Sequence, residues 1–139
     1  MSIVAIVGDC TTTTAVALAS TWPQSDDVII VEADRSGGSL VGWLDTPPTP
    51  SLSTIVANTH TFDTSPGAAW FAVDAMVRRS ASGIRFIAAP IRSREASRAI
   101  GEAGTALFPL LATLDQPTVL ADCGRHTPAD RLPTMASCA

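Results

Sequence analysis

The sequence predicts an α/β fold, a mainly parallel sheet with helices on both faces, and three observations carry that prediction. Apolar runs recur at residues 3–7, 28–33, 84–89 and 118–121. Each is short and nearly continuous rather than alternating, as strands buried on both faces are. Helix-length segments separate the runs, and strands alternating with helices in this way imply right-handed crossovers between parallel neighbours.

The first run leads through a tight turn into a helix over 12–22, which opens on Thr11, Thr12, Thr13 and Thr14. After the second run come a helical turn over 39–44 and a helix over 51–58. A further helix is expected over 68–80, because Trp70, Val73, Val77 and, one turn earlier, Pro66 stand at helical spacing. Its polar tip would be Arg78, Arg79 and Ser80. One long helix over 94–114 then precedes the last run. Pro47, Pro48 and Pro50 form one loop and the threonine-rich residues 59–65 another. Both are too short to link separate domains, so residues 1–139 read as a single domain.

The composition narrows the functional classes. A chain of 139 residues with 46% hydrophobic and 16% charged residues can bury a core of its own. The net charge of −4 disfavours a dedicated nucleic-acid surface. All nine basic residues are arginines. Arg78, Arg79 and Arg85, then Arg92, Arg94 and Arg98, read as solvated faces, with phosphate binding as the lesser reading. No run reaches the ~18 apolar residues of a membrane span, and the sequence is expected to enter its first strand without a signal peptide. Cys10, Cys123 and Cys138 are an odd number without disulfide spacing, so a cytoplasmic location is expected.

Residues 2–20 have the layout of a phosphate-binding loop: strand, turn, hydroxyl-rich helix start. A loop of the form GxxxxGK[ST] holds phosphate on backbone N–H groups and a lysine, and magnesium on a Ser/Thr hydroxyl. The helix frame from Ala15 to Ala19 sets the register. Thr12 takes the magnesium hydroxyl position, Thr13 follows it, Thr11 takes the lysine position and Cys10 that of the last glycine, leaving Gly8. A Cβ at position 10 is expected to crowd a phosphate or force the turn open, since glycine tolerates positive φ and close approach. The competing reading is a helix capped by Thr11 or Thr12 with no ligand at all.

The second run ends in VEADRSGG (31–38) and the fourth in VLADCG (119–124). With the threonine-rich loop, these strand ends resemble the ParA/MinD group of deviant P-loop ATPases, and in particular partition-type MinD-like proteins of actinobacteria. The resemblance spans most of the chain. It implies a P-loop NTPase-like (Rossmann-like) fold, with Thr12 matching the magnesium hydroxyl, Glu32 and Asp34 the acidic pair that positions water and senses γ-phosphate, and Asp122 the later aspartate that holds magnesium through water. Gly8, Cys10, Thr11, Thr12, Thr13, Glu32, Asp34 and Asp122 would then share one nucleotide crevice, with Thr12 and Asp122 on magnesium and Asp34 the catalytic candidate. The departures are pointed. The family's signature lysine falls on Ile6 and its loop lysine on Thr11, and two of its glycines fall on Val7 and Cys10. Phosphoryl transfer depends on such positioning and charge, so ATP and magnesium would bind weakly and hydrolysis be weak or absent. Family domains continue beyond the Asp-ending strand, so these residues correspond to the N-terminal portion of that fold.

Three functions follow as expectations. The first is a degenerate ATPase that works by binding a protein partner in localisation, partition or secretion/pilus assembly, with any homodimer independent of nucleotide. The second is an active Mg-ATPase whose cation is an arginine, Arg35 being nearest in sequence to the acidic pair. The third is a small thiol or metal module in which Cys10, Cys123, His126 and Asp122 converge. A dinucleotide site with Glu32 on a ribose fails at the first turn, where GDCTTT cannot supply G-x-G-x-x-G.

Overall fold

The computed structural model describes residues 3–62 and 65–125. Among the described residues five strands form one sheet: β1 (Ile3–Ile6), β2 (Val28–Glu32), β3 (Arg78–Arg79), β4 (Arg85–Ile87) and β5 (Thr118–Asp122). Their order is β1-β5-β2-β4-β3, so the strand latest in sequence lies between the two earliest. β1, β5, β2 and β4 run parallel, with Ile3 beside Val119 and Ile29 beside the same Val119 from the other edge. Only β3 is antiparallel, pairing Arg78 with Phe86 and Arg79 with Arg85.

Alternate side chains leave opposite faces of a strand, and that period sorts the core into two layers. Ile29, Val31, Val119 and Ala121 face one way, where α3 (Leu52–Asn58), α4 (Pro66–Asp74), α5 (Ser93–Ala106) and α6 (Phe108–Ala112) supply Leu52, Ile55, Val73, Ile100, Phe108 and Leu111. Val28, Ile30 and Leu120 face the other way and meet Ala15 and Ala19 of α1 (Thr11–Ser20) and Leu40 of α2 (Leu40–Trp43). This is the α/β, P-loop NTPase-like architecture expected, with helices on both faces of a mainly parallel sheet.

Two expected helices are shorter than their patterns suggest. The helix expected over 68–80 ends at Asp74, and its polar tip is the edge strand β3. Trp70, Val73 and Val77 still pack on the core, but Ser80 accepts from the Ile84 N–H through its hydroxyl, and its own N–H donates to the Ile84 carbonyl. Those two bonds close a tight hairpin that a continuing helix would forgo. The helix expected over 94–114 breaks at Leu107 into α5 and α6. Pro109 has no N–H to donate back along the chain, and its ring excludes an unbroken helix through this point. Among the described residues, no helix is long and apolar enough to cross a membrane.

Candidate nucleotide-type crevice

At the carboxyl ends of β1, β5 and β2, backbone bonds continue past the strands and bind three loops together. The Cys123 N–H donates to Ile6 (3.0 Å), the Gly8 N–H to Gly124 (3.1 Å) and the Ala33 N–H to Asp122 (2.7 Å). In open α/β sheets this is where ligands sit. A cleft of about 280 Å³ opens there, lined by residues 8–13, Asp34, Trp43, Gly124 and Arg125.

The loop into α1 is built as a glycine-type turn although glycine is absent at its end. Cys10 adopts φ 60° and ψ 29°, the left-handed conformation, after Gly8 at φ 127°. The expectation that a Cβ at position 10 would force the turn open is corrected: cysteine takes the glycine conformation, at a cost of about 1 kcal/mol for its side chain. The reading in which Thr11 or Thr12 caps the helix is corrected too. Cys10 is the N-cap, and its side chain makes no capping bond. The amides of Thr11, Thr12 and Thr13 therefore present the positive end of α1 to the cleft. Thr11 is buried, and Thr14 turns its hydroxyl back to the Cys10 carbonyl (3.0 Å).

Thr12 is the residue that joins the loop to the sheet. Its hydroxyl donates to Asp122 Oδ2 at 2.6 Å, a charge-assisted bond, and lies 3.3 Å from the Ser39 hydroxyl. Asp122 is wholly enclosed, with its second oxygen accepting from the Gly124 N–H at 3.3 Å. A hydroxyl and a carboxylate this close are hard oxygen donors of the kind magnesium takes, so Thr12 and Asp122 fit the ion assigned to them by resemblance. The fit to a nucleotide's phosphates is poorer. Amides at the helix start remain, but no lysine does, and of the charged residues on the walls Asp9 and Asp34 are negative and Arg125 alone is positive among the described residues.

Glu32 and Asp34, expected as a pair, are separated in role. Glu32 is fully buried, and its carboxylate accepts from the Ser39 N–H (2.6 Å), the Leu40 N–H (3.0 Å) and the Ala89 N–H (3.0 Å). Burial pushes its pKa up from the ordinary value of 4.5, against the pull of those three N–H groups, and the Asp122 charge adds to the rise. With its oxygens committed to the backbone, Glu32 holds the loop that brings Ser39 to Thr12 and is not placed to position water. Gly38 must lack a side chain for this: a Cβ there would lie 2.3 Å from the Ala89 carbonyl oxygen and 2.8 Å from Glu32. Asp34 does line the cleft. Its Oδ1 accepts from the Ser36 N–H (2.8 Å) and hydroxyl (2.6 Å), and its carboxylate lies over Gly124, which has φ 69°.

The two thiols stand in different surroundings, one exposed and one buried. Asp122 and Leu120 face α1, so Cys123 enters the opposite core layer, where burial pushes its thiol up to about 11. Cys10 is exposed in the loop. Among the described residues no group of three or more His, Cys, Asp or Glu side chains is placed to hold a metal ion, and His126 and Cys138 lie outside them. Sequence reasoning also missed two cleft residues. Arg125, on the segment leaving β5, pairs through Nε with Asp9 Oδ1 at 2.5 Å, whereas Arg35 is exposed and does not line the cleft. Trp43, more than half exposed, forms an aromatic wall. Adjacency of β1 and β5 is what brings residue 125 to the loop.

No protein-family model and no curated protein sequence matches the chain. Solved structures do. Cobyrinic acid a,c-diamide synthase from Mycobacterium smegmatis, with bound ATP analog and magnesium, is similar at 24% identity and a TM-score of 0.58, over 89% of this chain and 51% of that one. A second structure of that synthase is similar at 25% identity and a TM-score of 0.55, over 88% and 50%. The chimerical protein CapA2B2 is similar at 18% identity and a TM-score of 0.61, over 94% and 54%. The chain thus spans about half the length of these structures, and the likeness is one of fold.

Proposed function

We propose that this is a degenerate ParA/MinD-like P-loop protein, weak or inactive in ATP hydrolysis, which acts in the cytoplasm by binding a protein partner in localisation, partition or secretion/pilus assembly. The observation that carries the reading is the Thr12–Asp122 bond beneath a lysine-free loop: two hard oxygen donors suited to magnesium stand together, and no lysine stands beside them to meet phosphate. The synthase described above, solved with an ATP analog and magnesium, supports the comparison at the level of fold.

Calorimetric titration with Mg-ATP tests this directly. The expected dissociation constant is weaker than about 100 µM, because a lysine and a glycine are lost together. Low-micromolar binding with steady phosphate release would overturn it. Thr11→Lys alone should restore no turnover, since Thr11 is buried and Ile6 occupies the signature position. Sedimentation should give the same oligomeric state with and without nucleotide.

One observation favours the second reading, an Mg-ATPase that uses an arginine. Arg125 reaches the cleft that Arg35 does not. Tight Mg-ATP binding abolished by Arg125→Ala, but not by Arg35→Ala, would select that reading.

A further inference from the structure

The hairpin of β3 and β4 gathers three of the nine arginines at the amino-terminal end of the parallel strands, away from the threonine loop. Arg78, Arg79 and Arg85 line a cleft of about 440 Å³ together with Asp26, Asp74 and Val77. Arg79 and Arg85 are directly paired across the two strands, an arrangement of like charges that destabilises a sheet unless an anion offsets it. Asp26 supplies that anion. Its Oδ1 accepts from Arg79 Nη2 at 2.5 Å and its carbonyl oxygen from Arg85 Nη1 at 2.6 Å. Arg85 also pairs with Asp74 and is nearly buried, Arg79 donates to the Gly83 carbonyl, and Arg78 donates to the Pro47 carbonyl while stacking over the Phe86 ring.

The arginines have donors to spare. Each guanidinium presents five N–H groups in a fixed fork, and among the described residues no more than two on any of the three are engaged. Among the described residues three positive charges face two carboxylates, one of which, on Asp26, is three-quarters exposed. Packing, hairpin pairing and Asp74 hold the guanidiniums in place before any ligand arrives, so little ordering is needed on binding. A planar carboxylate engages one or two forks, whereas a tetrahedral group offers oxygens in three directions.

We propose that Arg78, Arg79 and Arg85 form a binding site for a phosphate group, free or carried on a small molecule, in which the Asp26 carboxylate stands where the phosphate would sit. The site is separate from the threonine loop and does not depend on nucleotide binding there.

The test is amide and arginine Nε–H resonances followed by NMR while the intact protein is titrated with inorganic phosphate, with glycerol 2-phosphate, and with chloride at matched ionic strength. Saturable shifts at residues 78–85 with either phosphate, not reproduced by chloride, are expected, and the two phosphates distinguish a free from an esterified ligand. Arg79→Gln, at an exposed position, should weaken binding about tenfold or more, and Asp26→Asn should tighten it several-fold by removing the internal competitor. Arg85→Gln endangers the fold, which is why these two variants decide the matter. Absence of saturable shifts at 20 mM phosphate, equal shifts with chloride, shifts confined to residues 8–14, or unchanged affinity in both variants would overturn the proposal.

Discussion

Thr12 and Asp122 stand 110 positions apart in the chain and 2.6 Å apart in space, the hydroxyl donating to a carboxylate that has no exposure to solvent. The bond ties α1 to the end of β5 and so fixes the loop between β1 and α1 against the sheet.

Thr12→Val keeps the shape and removes the donor, leaving the buried Asp122 with one weak N–H partner. A loss of about 1.5–3 kcal/mol is expected from urea unfolding curves. Asp122→Asn should be milder, because the Thr12 hydroxyl can accept from an amide as well as donate to a carboxylate. Equal losses in the two variants would show that burial, not this bond, sets the cost.

Cys10→Gly should raise stability by up to about 1 kcal/mol, because glycine carries no penalty at φ 60°, with part of the gain lost to the freer unfolded chain. Cys10→Val should lower it, since a branched Cβ is worst in this conformation. The shift in urea midpoint measures both.

Glu32 makes stability depend on pH in a definite sense. Its folded pKa is raised, so the folded state holds the proton more tightly than the unfolded one, and stability falls as pH climbs from about 4.5 through the raised value. The slope from this group is at most about 1.4 kcal/mol per pH unit. Glu32→Gln should flatten that slope and also destabilise, because its amide nitrogen meets a backbone N–H donor on one side or the other. Parallel unfolding series at pH 4, 5, 6 and 7 check the sign.

Gly124→Ala should destabilise by about 1–3 kcal/mol, since its Cβ would fall 2.3 Å from the Asp34 carboxyl carbon at a positive φ. Asp34→Ala removes the collision. The double variant should therefore be less impaired than the two single losses added, and strict additivity in the cycle would place Asp34 elsewhere.

The four parallel strands were readable because burial on both faces leaves runs such as Val28 to Val31 without polar interruption. Thr12 and Asp122 were readable as neighbours because both follow from which strand ends meet. β3 was hidden: it is two charged residues long, and the helical spacing of Trp70, Val73 and Val77 runs straight into it. Nothing in a cysteine signals a left-handed backbone, so the conformation of Cys10 came only with the structure. Sequence distance to the acidic pair points to Arg35 and misses Arg125, because sheet order, not distance along the chain, decides which arginine reaches the loop. Glu32 looked like a partner of Asp34, yet alternate residues here differ in depth: one is enclosed by backbone amides and the other lies at the cleft.

The strand order bears on how the chain matures during synthesis. β5 lies between β1 and β2, so a nascent chain that has released only its first hundred residues holds two strands with a missing neighbour between them. β2 and β4 can pair at that stage, but among the described strands β1 has no partner until residues 118–122 emerge. β1 and β5 must then be brought together in a single late step, with the loop at Cys10 taking its shape only as the Thr12 hydroxyl finds Asp122. A ribosome stalled before Thr118 should therefore expose an apolar, unpaired β1 to chaperones, and one stalled well past Asp122 should not.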